Sequence, residues 1–234
     1  MRQTAFPEVC FMKKVIFLKV KAVIFDMDGV ITNTMPYHFR AWQQVLKEEG
    51  IAATHHDIYR REGQRGIDSV QEIFAHYQVP FHRDQAERIL LKKEILFKKI
   101  VKNRYIPGSR LLIQQLLRQG FRLALVTGTA RDEVRRILPN DLFQHFSVVV
   151  SGTDVRQGKP SPVPYLKALD QLGLRAKDAV VIENAPFGIL SAKSAGLRCL
   201  AIATSLPPRF LKQADQIFGS IKELKSRVQF QLPE

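Results

Sequence analysis

Cysteine is nearly missing from this chain of 234 residues: Cys10 and Cys199 are the only two, and Cys199 lies in a strand-like run. Two thiols so placed make no disulfide framework, which excludes a small stapled fold and fits a reducing cytoplasm. No apolar stretch approaches the length of a membrane span, so no membrane partner is expected. Residues 12–18 loosely resemble a leader peptide, but Lys19 and Lys21 interrupt the apolar region and no small-residue cleavage site follows. Secretion is therefore not expected. Residues 1–14 carry no periodic pattern and read as a loose tail, or as lying upstream of a start at Met12. Repeats and low-complexity segments are also lacking.

Acidic residues are scarce beside basic ones: 22 Asp and Glu against 36 Lys and Arg give a formal net charge of +14. Much of the excess falls in residues 88–104. There Lys92, Lys93, Lys98, Lys99 and Lys102 alternate with Leu90, Leu91, Ile95, Leu96 and Ile100. Such interleaving predicts an amphipathic helix with a solvated basic face. No helix-turn-helix, zinc or aromatic RNA-binding signature accompanies it, so nucleic acid is not the expected partner. Attraction of small anionic substrates explains the charge equally well.

Hydrophobic residues make up 45% of the chain, enough for one large core or two smaller ones. The most informative run is Ala22-Val-Ile-Phe25, which ends abruptly in Asp26-Met-Asp28-Gly29. Four apolar residues read as a strand buried on both faces of a parallel sheet. The aspartates then stand at its carboxyl end, where open α/β sheets place ligands. Two carboxylates so close are tolerable with a cation between them or with one protonated, so the pair is a metal or acid/base candidate. A turn is the simple alternative. A calcium loop fails, because its glycine belongs at the sixth position and its Glu at the twelfth, whereas Gly29 is fourth and Tyr37 twelfth.

After Gly29 the pattern turns helical. Pro36 suits a first turn, Phe39, Trp42, Val45 and Leu46 share a face, and Gly50 marks the stop. Val70, Ile73, Phe74 and Tyr77 suggest another helix, and 84–103 a third. Between 35 and 105 no strand is evident. Beyond Pro107-Gly108 the alternation is regular: helices near 109–119, 131–138, 162–172 and 188–195 separate strands at 121–127, 146–150, 179–183 and 197–202. This predicts an α/β fold, a doubly wound parallel sheet built from residues 1–34 and 106–234. The all-helical stretch 35–105 is expected to form an inserted cap above the sheet's carboxyl edge.

In a parallel sheet the strand ends gather on one edge. They would deliver Asp26 and Asp28, then Thr127-Gly128-Thr129, then Gly158-Lys159-Pro160 opening a helix, then Glu183-Asn184. Singly, each has a bland reading as a cap or an ordinary loop. Together they form a phosphoryl-transfer set. Mg²⁺ suits a carboxylate-rich site, with Asp26, the Asp28 carbonyl and Glu183 as candidate ligands. Lys159 offers a compact cation. Thr127 and the amides of Gly128 and Thr129 suit the transferring oxygens. An aspartate nucleophile would form an aspartyl-phosphate, with Asp28 exchanging protons with the leaving oxygen and the attacking water.

With these motifs the chain resembles the haloacid dehalogenase superfamily, and within it the β-phosphoglucomutase-like phosphatases with a helical cap. The resemblance spans roughly residues 20–215. It rests on Asp26-Met-Asp28-Gly29-Val30, Leu125-Val-Thr127-Gly128, Gly158-Lys159-Pro160-x-Pro162 and Val181-Ile-Glu183-Asn184-x-x-x-Gly188-Ile189. It implies Asp26 as nucleophile, Asp28 as acid/base, Thr127 and Lys159 as phosphate-holding residues, and Mg²⁺ as cofactor. The second aspartate marks the phosphotransferases rather than the dehalogenases of the family. One departure is Asn184, where the family usually has Asp; the amide keeps an oxygen and loses a charge. Another is Val163, where the family often has an acid.

His38 and Trp42, twelve and sixteen residues beyond Asp26, match a mutase-like spacing in which the histidine couples cap closure to chemistry. The stretch EGQRGIDS at 62–69 resembles the family's specificity loop. Mutases carry there an arginine for a second phosphate, at a position that is Gly66 here; Arg65 is one place early. The expected activity is a Mg²⁺-dependent phosphatase for a small phosphorylated metabolite, with a sugar phosphate as the leading class. His38, Arg65, Gly128 and Thr129 are the candidate substrate contacts, and Asp26, Asp28, Glu183 and Asn184 the candidate metal ligands. The alternatives are a hexose-phosphate mutase and a catalytically degenerate polyanion-binding protein. A cytoplasmic monomer or weak dimer is expected.

Overall fold

The computed structural model describes residues 15–102 and 104–233; the expectations for the 1–14 tail, Met12 and Cys10 lie outside them. Strand β1 (Ile16–Lys19) precedes β2 (Ala22–Phe25), and four helices follow: α1 (Met35–Glu48), α2 (His55–Tyr59), α3 (Gly66–His76) and α4 (Arg83–Ile100). Then come α5 (Ser109–Arg118), β3 (Arg122–Val126), α6 (Arg131–Ile137), α7 (Asn140–Phe143), β4 (Val148–Val150) and α8 (Val163–Leu172). The chain continues through β5 (Ala179–Glu183), α9 (Pro186–Ser194), β6 (Arg198–Ile202), β7 (Gln216–Phe218), α10 (Ile221–Arg227) and β8 (Val228–Gln231).

Six strands form one parallel sheet in the order β4-β3-β2-β5-β6-β7, and β1 pairs with β8 in a separate parallel ribbon. The doubly wound α/β reading holds. Along β2, Val23 and Phe25 join the apolar cluster on one face, while Ala22 and Ile24 join the cluster on the other. The two-residue period of a strand thus serves both layers at once, which explains why β2 is apolar at every position. Because β3 and β5 flank β2 on opposite sides, the chain reverses its winding direction beside β2. That reversal opens a crevice at the carboxyl ends of these strands.

Helices α1 to α4 carry an apolar cluster of their own, including Phe39, Trp42, Leu46, Ile73, Phe74 and Ile89. Pro36 sits in the first turn of α1, and Gly50 follows its last turn at φ +75°. Helix α4 corrects the sequence reading. Leu91 and Ile95 are exposed, whereas Lys93 is buried with Ala86, Ile89 and Phe97. The solvated basic face therefore excludes Lys93. Its ammonium lies 4.9 Å from the centroid of the Phe97 ring and 5.6 Å from that of Trp42, so aromatic faces stand in for part of its water shell. Among the described residues no helix is long and apolar enough to cross a membrane.

Candidate active site

Strand register assembles the site. Phe25 pairs with Leu125 of β3 and with Ile182 of β5, and the Asp26 amide donates to the Ile182 carbonyl at 3.0 Å. Asp26 therefore emerges between the ends of two neighbouring strands, one continuing into Thr127 and the other finishing at Glu183. The loop before α8 then brings Lys159 in. Its ammonium donates to Asp26 Oδ1 at 2.7 Å, to Glu183 Oε1 at 2.7 Å and to the Val126 carbonyl at 3.1 Å. All three charged side chains are 1% exposed. Residues as far apart in sequence as 26 and 183 thus share one ion-pair network.

The network perturbs each member. Burial pushes the Asp26 carboxyl up; Lys159 opposes this while Glu183 and Asp28 add to it, and the balance stands at about 8. Burial alone would lower the Lys159 ammonium, but Asp26 and Glu183 hold it above its ordinary value. Lys159 is therefore a fixed positive charge. Tyr165 donates to Glu183 Oε1 at 3.1 Å, while Glu183 Oε2 accepts from the Asn184 and Ala185 amides at 2.7 and 3.1 Å. Both Glu183 oxygens are thus committed. A side chain on Gly188 would overlap this carboxylate, which is why the helix turn beside it carries a bare backbone.

Asp28 occupies a different setting. One oxygen accepts from Thr34 and lies 3.4 Å from His38 Nε2; the other accepts from Thr129 at 2.9 Å. Burial favours the neutral acid, yet the His38 contact and the two hydroxyls outweigh it and hold Asp28 below the usual carboxylate range. Burial and the nearby Lys93 lower the His38 imidazole, outweighing the opposite pull of Asp28. Its ring stacks on Phe97 at 4.0 Å. Thr129, a candidate substrate contact, is engaged with Asp28 here. Thr34, which the sequence reading did not mention, holds the other side from its place just before α1.

Beside the strand ends, two buried oxygens have no hydrogen-bond partner, Asp26 Oδ2 and Asn184 Oδ1. Both come from the candidate metal-ligand set, and each is hard oxygen, the donor type that Mg²⁺ takes. The Asn184 amide nitrogen donates to Ser205 at 2.8 Å, which fixes the side-chain orientation. Gly29, at φ +87°, makes room for it, since a side chain there would collide with the Asn184 amide. Among the described residues no cluster of three or more His, Cys, Asp or Glu forms a ready cation site. The donor set fits a divalent ion that keeps several waters, with Asn184 supplying a neutral oxygen.

A cleft of about 260 Å³ lies between the helical segment and the sheet edge. Its lining includes His38, Arg65, Gly128 and Thr129 from the expected set, Glu62 from the stretch resembling a specificity loop, Lys93, which was expected on a solvated face, and Glu133, which sequence reasoning did not single out. The seam is tight. A Cβ on Gly128 would stand 2.6 Å from the Gly63 carbonyl, and one on Gly158 2.9 Å from the Arg65 amide. One Arg65 N–H donates to the Arg156 carbonyl across the seam.

This is a phosphoryl-transfer type of site on a doubly wound sheet. The chain matches the family "Haloacid dehalogenase-like hydrolase" over residues 23–202, and it belongs to that family as an enzyme of the phosphatase type. It is 33% identical over 183 residues to a phosphorylated carbohydrates phosphatase of Thermotoga maritima, covering 76% of this chain and 82% of that one. It is 28% identical to β-phosphoglucomutase of Bacillus subtilis, covering 80% and 85%. A solved structure from Bacteroides vulgatus assigned as a β-phosphoglucomutase superposes with a TM-score of 0.80 at 29% identity, covering 88% and 86%.

Proposed function

We propose that the protein is a Mg²⁺-dependent phosphomonoester hydrolase acting on a small phosphorylated metabolite, with a sugar phosphate as its substrate class, through an aspartyl-phosphate on Asp26. The observation that carries this reading is the contrast between the two Asp26 oxygens. One is held by Lys159 at 2.7 Å, and the other is buried without a partner. A carboxylate fixed on one side and open on the other is aimed, and an aimed nucleophile removes much of the entropic barrier. We read residues 35–105 as the cap.

In the first half-reaction an Asp26 oxygen forms a bond to phosphorus as the bond from phosphorus to the leaving oxygen breaks. Lys159 and Thr127 hold the transferring oxygens together with the amides after β3, and positive charge offsets the repulsion between dianion and carboxylate. Asp28 gives a proton to the leaving oxygen. In the second half it takes one from the attacking water, and phosphate leaves with Asp26 regenerated. As it stands, Asp28 accepts from Thr34 and Thr129 and is ionised, which is the state the hydrolytic half requires. Asp26, Asn184 and the Asp28 carbonyl are the groups that would hold Mg²⁺, whose charge adds to that of Lys159. Glu183, with both oxygens engaged, orients Lys159 and the amides before α9.

Hydrolysis is favoured over mutase chemistry by Arg65. A mutase must grip a second phosphate; the position expected to carry its arginine is Gly66, and Arg65 beside it turns one N–H to the Arg156 carbonyl. The test is a panel of phosphorylated metabolites assayed for free phosphate and for isomerised sugar phosphate in parallel. Mg²⁺-dependent release of phosphate is the expected result. Isomerisation that requires a bisphosphate activator would instead establish a mutase.

A further inference from the structure

Strand register brings a serine to the candidate metal ligands that no sequence motif announces. Glu183 of β5 pairs with Ala201 of the parallel β6, so the loop after β6 runs beside Asn184. Thr204 Oγ1 donates to the Gly29 carbonyl at 2.5 Å, which ties that loop to the segment carrying Asp26 and Asp28. At the next position the Ser205 hydroxyl accepts from Asn184 Nδ2 at 2.8 Å. Gly29 lies against both groups: a Cβ there would overlap Nδ2 and stand 2.7 Å from Ser205 Oγ. Groups beyond three strand ends thus close around the amide nitrogen. Asn184 is 0% exposed, and its Oδ1 stays buried and unpartnered.

An amide ligand poses a problem that a carboxylate does not. A carboxylate offers a cation either of two equivalent oxygens, whereas an amide offers one oxygen and, turned over, two N–H donors. Donors aimed at a cation repel it. An amide in a metal site therefore needs a partner that claims its nitrogen, and groups of this kind, one bond removed from the ion, set the orientation of the ligand itself.

Resting on the phosphatase reading above, we propose that Ser205 is a positioning residue for the divalent-cation site: by holding Asn184 Nδ2 it turns Oδ1 toward the ion. Ser205 acts through Asn184, and the two work as a unit. The value of the hydroxyl therefore depends on which residue stands at position 184. With Asn it is needed to choose the correct end of the side chain; with Asp either end serves.

The test is calorimetric titration of Mg²⁺ into wild type and variants at one pH, without substrate, with melting curves to verify folding. Ser205→Ala should weaken Mg²⁺ binding by roughly tenfold or more. Ser205→Thr keeps the hydroxyl and should bind as wild type does. In the Asn184→Asp background, Ser205→Ala should cost no more than about twofold. That contrast separates positioning from packing, because a serine that only fills space would cost the same in either background. Unchanged affinity in Ser205→Ala, or equal losses in the two backgrounds, would overturn the proposal and leave the phosphatase reading standing. Wild type that binds no Mg²⁺ would overturn it too, and if no phosphomonoester is then turned over with Mg²⁺ present, the phosphatase reading goes with it.

Discussion

Gly63 of the loop before α3 lies directly against Lys159 of the sheet edge: a Cβ on Gly63 would stand 2.5 Å from the lysine Cδ and 3.0 Å from its Nζ. The glycine is also at φ +76°, a left-handed conformation that a side chain makes costly. The loop before α3 therefore packs against Lys159 only because this position is bare.

Gly63→Ala should hold the cleft open. Strain and overlap of about 1–3 kcal/mol against the closed state correspond to a loss of about 5- to 150-fold in kcat/KM. Steady-state kinetics with an aryl phosphate read it directly. Gly173→Ala is the control: it too is left-handed, at φ +61°, with nothing within 4 Å of its Cβ and no place in the cleft. It should lose some stability and leave kcat/KM unchanged. Equal losses in both variants would argue against the closure account.

Asn184→Asp restores a charge next to an oxygen that is buried and unpartnered. Ligand charge tunes affinity for hard cations, so the variant should bind Mg²⁺ at least roughly tenfold more tightly by calorimetry. A weaker site would show that donation from the Asn184 amide to Ser205 matters more than the added charge.

The Asp26 carboxyl, raised to about 8 chiefly by burial, is protonated below that pH in the metal-free protein. Cation binding must then expel its proton. The sign follows: Mg²⁺ affinity falls as pH drops below about 8, by about tenfold per unit where one proton is released. Calorimetry in buffers of different ionisation enthalpy counts that proton. An affinity flat from pH 6 to 8 would contradict the assignment of Asp26 as a ligand.

The sheet was legible in the sequence because its central strands are buried on both faces, leaving runs such as 22–25 and 179–182 unbroken by polar residues. Strands β1, β7 and β8 escaped notice because they are short and mix buried with exposed positions, so neither a solid run nor a clean alternation announces them. The residues placed at strand ends in advance, from Asp26 and Asp28 to Glu183 and Asn184, follow from chain order and parallel topology alone. Side-chain partners do not. Lys93 looked like a solvated charge because one of the rings that shelter its ammonium, Trp42, belongs to α1, distant in sequence. Thr34 drew no notice because only the return of the chain toward Asp28 gives its hydroxyl a carboxylate to meet.

The central claim is that the Asp26 carboxylate attacks phosphorus. Asp26→Asn, assayed for Mg²⁺-dependent release of phosphate from an aryl phosphate beside wild type and with melting curves to verify folding, tests it most directly. The account predicts steady turnover by wild type and none above background from a folded variant. Undiminished turnover by Asp26→Asn would contradict it.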